Sequence, residues 1–352
     1  MERGEAGTGR MEGHGFYTAH SQAQEAYGEL GLEWLEQAAA EVDPPAPPLP
    51  FVIADLGAAG GGNSLAPMRR ALAARRGPGA ALVVHTDIPG NDFTALFDLV
   101  TGSPESYLGD PEVFATAEAR TFYEPLFPPD FLSLGWSSIA VHWLSRVPMP
   151  IPDHIYCSFA HGRAREALRA RSAEDWDAFL SCRSQELRPG GRLIVVGGAA
   201  TEDGSSGAEG LMEIANEALR ALVETGALDA ADHARMTIPT WNRSPAEFLA
   251  PFESGGFEGG LELRRHAARS LPDPYLAAYR ADGDLDRYVE SVASFFRAAF
   301  EDSLWAALGG RSHDAEVEAG FARLLREGIA AAPERAACEW HVVVLDIARR
   351  PR

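Results

Sequence analysis

Phe51-Val-Ile-Ala-Asp-Leu-Gly-Ala-Ala-Gly-Gly-Gly-Asn63 is the stretch on which the reading of this chain turns. It opens with a short apolar run, the pattern of a parallel strand buried on both faces. The strand ends at Asp55, and the backbone then turns through Gly57, Gly60, Gly61 and Gly62. Glycine takes up positive φ at low cost and lets a ligand approach the backbone closely. Leu65 to Arg76 reads as a helix, so the unit is strand, glycine-rich turn, helix. In an open α/β sheet a nucleotide-like ligand sits at such a turn, outside the carboxyl ends of the strands. The dinucleotide spacing G-x-G-x-x-G is not met, because position 59 is Ala and position 65 is Leu, so an NAD site is weakly supported. An ordinary tight turn is the alternative.

Outward from this unit, Met1 to Gly15 (1–15) is Gly- and charge-rich and reads as a disordered tail. Phe16 to Ala40 reads as helix, and Asp43 to Pro50 as a stiff proline-rich linker; together 16–50 contribute to the site. A core over 51–200 follows. Its second strand, Ala81 to His85, delivers Asp87 to a strand's carboxyl end, as the first delivers Asp55. A carboxylate there can accept both hydroxyl hydrogens of a ribose, or serve as a turn or cap residue. Asn91-Asp92 is placed to cap a helix running to Leu99. His154 to Phe159 and Arg192 to Val196 read as further strands, and Ser172 to Leu187 as a helix. Over 201–310 the strand signal fades into a largely helical cap, with Ser244-Pro245 as a helix start and Gly260 to Arg264 as a possible strand. Tyr288 to Leu308 reads as one helix. The chain returns to the core over 311–352, where Glu339 to Ile347 is a strong strand. Alternating strands and helices give an α/β fold with a mostly parallel sheet and helices on both faces.

The 352 residues suffice for a large core, and the formal charge of −20 argues against nucleic acid and anionic membrane surfaces. All 31 basic residues are arginine, which reads as coding bias rather than function. Cys157, Cys182 and Cys338 suggest neither a disulfide framework nor a zinc site, and the ten histidines show no short-range ligand pairing, so no metal is assigned. No apolar stretch reaches the length of a membrane span and no signal peptide precedes the first helix; a cytoplasmic protein is expected.

With these segments placed, the chain resembles the SABATH family of methyltransferases in a series of motifs in family order. Tyr17-x-x-His-Ser-x-x-Gln24, Asp55-Leu-Gly to Asn63, Pro89-Gly-Asn-Asp-Phe93, Thr121-Phe-Tyr-Glu-Pro-Leu-Phe-Pro128, Ser137-Ser-Ile-Ala-Val-His-Trp-Leu-Ser-Arg-Val-Pro148, Pro189-Gly-Gly-Arg-Leu193 and Ile238-Pro-Thr-Trp241 to Ser244 carry it. The resemblance implies a Rossmann-like class I methyltransferase core with a helical cap. It implies S-adenosylmethionine as cofactor, a small carboxylic acid as acceptor, a methyl ester as product, and a homodimer. Cofactor contacts carry over to Ser21, Asp55, Gly57, Asn63, Asp87, Ile88, Thr121 and Phe122, with Asp87 on the ribose and Ile88 and Phe122 flanking the adenine. Gln24 and Trp143 carry over as the carboxylate clamp, with His142 beside them and Trp241 as a pocket wall. His20, Ile139 and Ala140 depart from the family's Asn, Tyr and Ser, and the loss of the Tyr hydroxyl puts the familiar acceptors in doubt.

The chemistry suits these residue types. A carboxylate with a pKa near ~4 is already the nucleophile at neutral pH, so no general base is required. Gln24 offers amide donors and Trp143 an indole donor; two neutral donors orient a carboxylate without quenching its charge. By residue type alone, Gln24 reads as a solvated helix position, and Trp143, His142 and Trp241 as core residues. N-methylation of a heterocycle, non-catalytic cofactor binding and NAD-dependent redox chemistry are the alternative functions.

Overall fold

The computed structural model describes residues 22–253, 257, 259–306, 308 and 315–351, with the backbone alone for 22–28. Helix α1 (Gln22–Glu41) leads through the proline-rich linker into β1 (Phe51–Leu56), every residue of which is buried. There follow α2 (Leu65–Ala74), β2 (Ala81–Asp87), α3 (Phe93–Gly102), β3 (Val113–Ala119) and β4 (Leu132–Ser138). Next come α4 (Gly162–Glu186), β5 (Leu187–Ala199), α5 (Glu209–Glu224), α6 (Ala230–His233) and α7 (Pro245–Leu249). The remainder is β6 (Leu261–Leu271), α8 (Pro274–Asp282), α9 (Leu285–Phe296), α10 (Asp302–Ala306), α11 (Ala315–Ala331), α12 (Pro333–Ala336) and β7 (Trp340–Arg349).

The strands form one sheet in the order β3-β2-β1-β4-β5-β7-β6. β3, β2, β1, β4 and β5 run parallel, whereas β7 pairs antiparallel with both β5 and β6. Strand order reverses between β1 and β4, which makes the crevice above their carboxyl ends the natural ligand position. One face of the sheet is covered by α1, α2, α5, α9 and α11, around Leu35, Met68, Phe296 and Phe321. The other carries α4 and α7, around Trp176, Phe179 and Phe248. Gly31 lets α1 lie directly on the sheet: a Cβ there would stand 2.6 Å from Val196 and 2.9 Å from Trp136. Ion pairs around the buried Arg192–Asp346 couple fasten that arrangement. Arg192 on β5 bonds Asp346 on β7 and Glu41 on α1, and Arg265 on β6 bonds the same Asp346 at 2.9 Å.

Several sequence expectations are corrected. His154 to Phe159 is not a strand but irregular chain ending in a 3-10 turn over Cys157–Phe159. Its backbone groups bond outside any ladder: the Tyr156 N–H donates to His154 Nδ1 at 3.0 Å, and the Ile155 carbonyl accepts from the Ile238 N–H at 2.8 Å. The helix expected over Tyr288 to Leu308 is broken by a π-helical turn, Arg297–Glu301. β6 extends the possible strand at Gly260 and belongs to the core sheet, so the 201–310 segment is not all cap. β3 carries too weak an apolar pattern to be read, because it is an edge strand with Phe114 56% exposed. α4 begins ten residues earlier than expected, at Gly162.

Candidate active site

The glycine-rich turn is fixed by its neighbours on β2. Asp55 lies inside: Ser64 donates to its Oδ2, and His85 Nδ1 bonds the same oxygen at 2.9 Å. His85 Nε2 in turn meets the Tyr107 hydroxyl at 2.6 Å, so a buried chain of polar groups stands behind the turn. Gly57 sits at φ +92°, where a Cβ would stand 2.6 Å from that of Ala140 and 3.4 Å from the Phe122 ring. Only glycine leaves that approach open. Ala59 holds a left-handed conformation, φ 46°, with both backbone groups captured. Its N–H donates to Asp87 Oδ2 at 2.8 Å, and its carbonyl accepts from Asn91 Nδ2 at 2.9 Å. Asp92, next along, caps α3 by accepting from the Ala95 N–H. The Asn91-Asp92 pair thus divides the work: one residue grips the turn and the other starts the helix. Sequence reasoning assigned both to capping, and nothing in the spacing distinguished them.

Asp87 stands at the end of β2, its Oδ1 accepting the Ile88 N–H at 2.8 Å. Burial pushes its pKa up to about 6, against the opposing effect of the two N–H donors. Each carboxylate oxygen has a second lone pair, so the group retains capacity for two further donors. Ile88, Asn63, Thr121 and Phe122 are half-buried around the same end of the sheet. Phe122 packs edge-on against Phe179, ring centres 5.6 Å apart. A left-handed glycine whose Cβ position is filled, beside a carboxylate with spare acceptor capacity, suits an adenosine-type group. Ser21 lies outside the described residues. Gln24 lies on α1, and its side chain is not among those described.

On the other side of the crevice β4 ends at Ser138, and Ile139 takes φ 48°, a costly conformation for a β-branched residue. The chain then places His142 and Trp143 together, rings 5.6 Å apart. Both are buried, and among the described residues His142 Nδ1 and Trp143 Nε1 have no hydrogen-bond partner. A buried indole N–H normally finds one. His142 packs against Gly198 of β5, and its pKa is pushed down to about 3 by burial, with the Arg243 guanidinium adding to it; the ring is neutral. Trp143 meets Phe300 of the π-helical turn at 6.2 Å. Trp241 is tied to this segment through its backbone, donating to the His142 carbonyl at 2.9 Å. Its indole is satisfied by Glu247 at 3.2 Å and covered by the Arg165 guanidinium. Trp143 therefore carries an open donor and Trp241 does not.

Comparison with known proteins places this architecture. Residues 7–349 match the family model described as SAM dependent carboxyl methyltransferase. Methyltransferase FUS9 of Gibberella fujikuroi is 31% identical over 238 residues, 66% of this chain and 64% of that protein. Salicylate carboxymethyltransferase of Clarkia breweri is 30% identical over 276 residues, 72% of this chain and 74% of that protein. The match thus spans slightly less than two thirds of FUS9, and 62% of gibberellic acid methyltransferase 2 of Arabidopsis thaliana. Among solved structures, loganic acid methyltransferase with SAH superposes with a TM-score of 0.74 at 21% identity, covering 97% of this chain and 99% of that one. The strand order, the braced glycine turn and the near full-length match lead to one conclusion: this chain belongs to the family of S-adenosylmethionine-dependent carboxyl methyltransferases.

Proposed function

We propose that this protein methylates the carboxylate of a small organic acid, giving a methyl ester. The observation that carries the proposal is the buried Nε1–H of Trp143, just beyond the carboxyl end of β4 and without a hydrogen-bond partner among the described residues, in a chain of this family. S-adenosylmethionine, when bound, supplies an electrophilic methyl group. The residues proposed to hold it are Ser21, Asp55, Gly57, Asn63, Asp87, Ile88, Thr121 and Phe122, with Asp87 accepting from the ribose hydroxyls. Asp55 acts in this reading through the turn it braces, since its Oδ2 is already committed to Ser64 and His85.

Trp143 and Gln24 donate to the acid and fix one oxygen toward the methyl group. The acid is ionised at neutral pH, so the site needs orientation and water exclusion rather than a base. His142, buried and neutral, suits packing and positioning better than proton transfer. Phe300 and the cap helices close an apolar wall over the acceptor. Ile139 stands where the family has Tyr, which favours an acceptor making one fewer hydrogen bond there. We further propose a cytoplasmic homodimer, checked by light scattering and by localisation of a tagged chain. The decisive experiment is a screen of aromatic, aliphatic and dicarboxylic acids with methyl-labelled cofactor. Alkali-labile label on an acid is the expected product. Alkali-stable label on a heterocycle, or cofactor binding without transfer to any acid, overturns the assignment.

A further inference from the structure

The segment from Ile139 to Trp143 is held from behind by two side chains to which the proposed reaction gives no role. The Tyr123 hydroxyl lies 2.5 Å from the Trp143 carbonyl oxygen and 3.3 Å from that of Val141. Burial raises the pKa of this phenol, which keeps it protonated and a donor. Arg243 Nη1 donates to the Val141 carbonyl at 2.5 Å, and Nη2 to the Ser172 carbonyl at 2.6 Å. The guanidinium is 1% exposed, and it lies over the rings of Trp176 and Phe248, 5.6 Å from each. Phenol and guanidinium also contact one another.

Burying an arginine is costly, and an apolar residue of similar volume often serves stability as well or better. What the arginine adds here is a directional grip on one carbonyl. That grip falls on a segment under tension. Ile139 at φ 48° is in a strained conformation for a β-branched residue, which persists only if the surroundings over-determine it. On the front, the segment is held by single backbone bonds, Trp241 N–H to His142 and Leu144 N–H to Pro239. Tyr123 comes from the loop after β3 and Arg243 from the loop before α7, so two distant stretches converge on one short segment.

We propose that Tyr123 and Arg243 are positioning residues that set the direction of the Trp143 indole N–H and act on turnover through it. The proposal rests on the carboxyl-methylation reading. It is tested with Tyr123→Phe and Arg243→Met, each made alone and in a Trp143→Phe background, measuring kcat, KM and S-adenosylhomocysteine affinity. Tyr123→Phe keeps the ring packing and removes only the hydroxyl. It is expected to lower kcat/KM about tenfold, with inhibitor affinity within twofold, and to cost less than twofold further once Trp143 is Phe. Arg243→Lys, which retains one donor, should restore part of what Arg243→Met loses. Losses that multiply in full in the Trp143→Phe background overturn the clamp, because a merely structural defect would add to any other. If Trp143→Phe leaves turnover unchanged, the methylation reading fails, and amide hydrogen exchange decides the clamp separately. Tyr123→Phe must then speed exchange at the Trp143 and Leu144 amides while leaving α4 unaltered; unchanged protection at those amides refutes it.

Discussion

The two sides of the crevice are built on different plans. The donor side, the glycine turn with Asp87 and Asn91, is made from residues within about one βαβ unit, and its polar groups bond one another while the Asp87 carboxylate keeps spare acceptor capacity. The Ala59 backbone is held at both ends, and Asp55 is engaged by two neighbours. The acceptor side, Ile139 to Trp143, is held by Tyr123, 20 positions before Trp143, and by Arg243, 102 positions after Val141, and among the described residues two of its buried nitrogens have no hydrogen-bond partner. A donor common to a whole family can be served by a fixed, self-sufficient unit. An acceptor that varies needs a surface whose last hydrogen bonds are left for the ligand to make. Substitutions should therefore separate: acceptor-side changes should move turnover, and donor-side changes should move cofactor affinity.

The largest effect is expected from Trp143→Phe, which deletes the open donor and keeps the ring. Steady-state kinetics should show kcat/KM down about 100-fold, in line with loss of one key orienting donor. S-adenosylhomocysteine affinity, measured by calorimetry, should stay within twofold; a parallel loss of affinity would break the division between the two sides. Asp87→Ala should act conversely, weakening S-adenosylhomocysteine binding roughly 30-fold through loss of a charged acceptor. A protonation effect of smaller size belongs to the same residue. The carboxyl of Asp87 titrates at about 6 in the folded chain, so its ionised form is the minor one below that pH. Hydroxyl donors favour the ionised form, and cofactor affinity should fall about tenfold from pH 7 to pH 5. For the free protein the sign is opposite: a raised carboxyl pKa contributes stability below the unfolded value that is lost as pH rises through about 6. Asp87→Asn should flatten the binding profile, and a profile unchanged by that substitution would remove Asp87 from the ribose. The smallest effect is expected from Asn91→Ala. It frees the Ala59 carbonyl, costing about 1 kcal/mol or some fivefold in cofactor affinity, with kcat unaffected.

The same division explains what was legible in the residue order. β1, its turn and α2 could be read directly, because the apolar run and the glycines lie within thirteen contiguous residues. The capping box at Ser244 and Glu247 was equally local, and it is present in full. The acceptor side resisted, since Tyr123, Arg243 and Phe300 have no mutual spacing that signals a meeting. Arg243 in particular stands in the residue order only as the neighbour of a helix start, yet the fold inserts it between Trp176 and Phe248. The family motifs located Trp143, but only the folded chain distinguishes its open N–H from the satisfied one of Trp241. His154 to Phe159 misled for a related reason: apolar residues there are buried by loops, not by strand neighbours.

The antiparallel β7 lies between β5 and β6 although it follows both in the chain. Until it arrives, the β5 edge has no partner, and β6 cannot join the sheet at all. Some 140 residues separate β5 from the strand that seals it, so a large loop must close before those ladder bonds form. The nascent chain thus carries an open, apolar sheet edge while its cap is being made, the kind of surface on which chaperones act and aggregation begins.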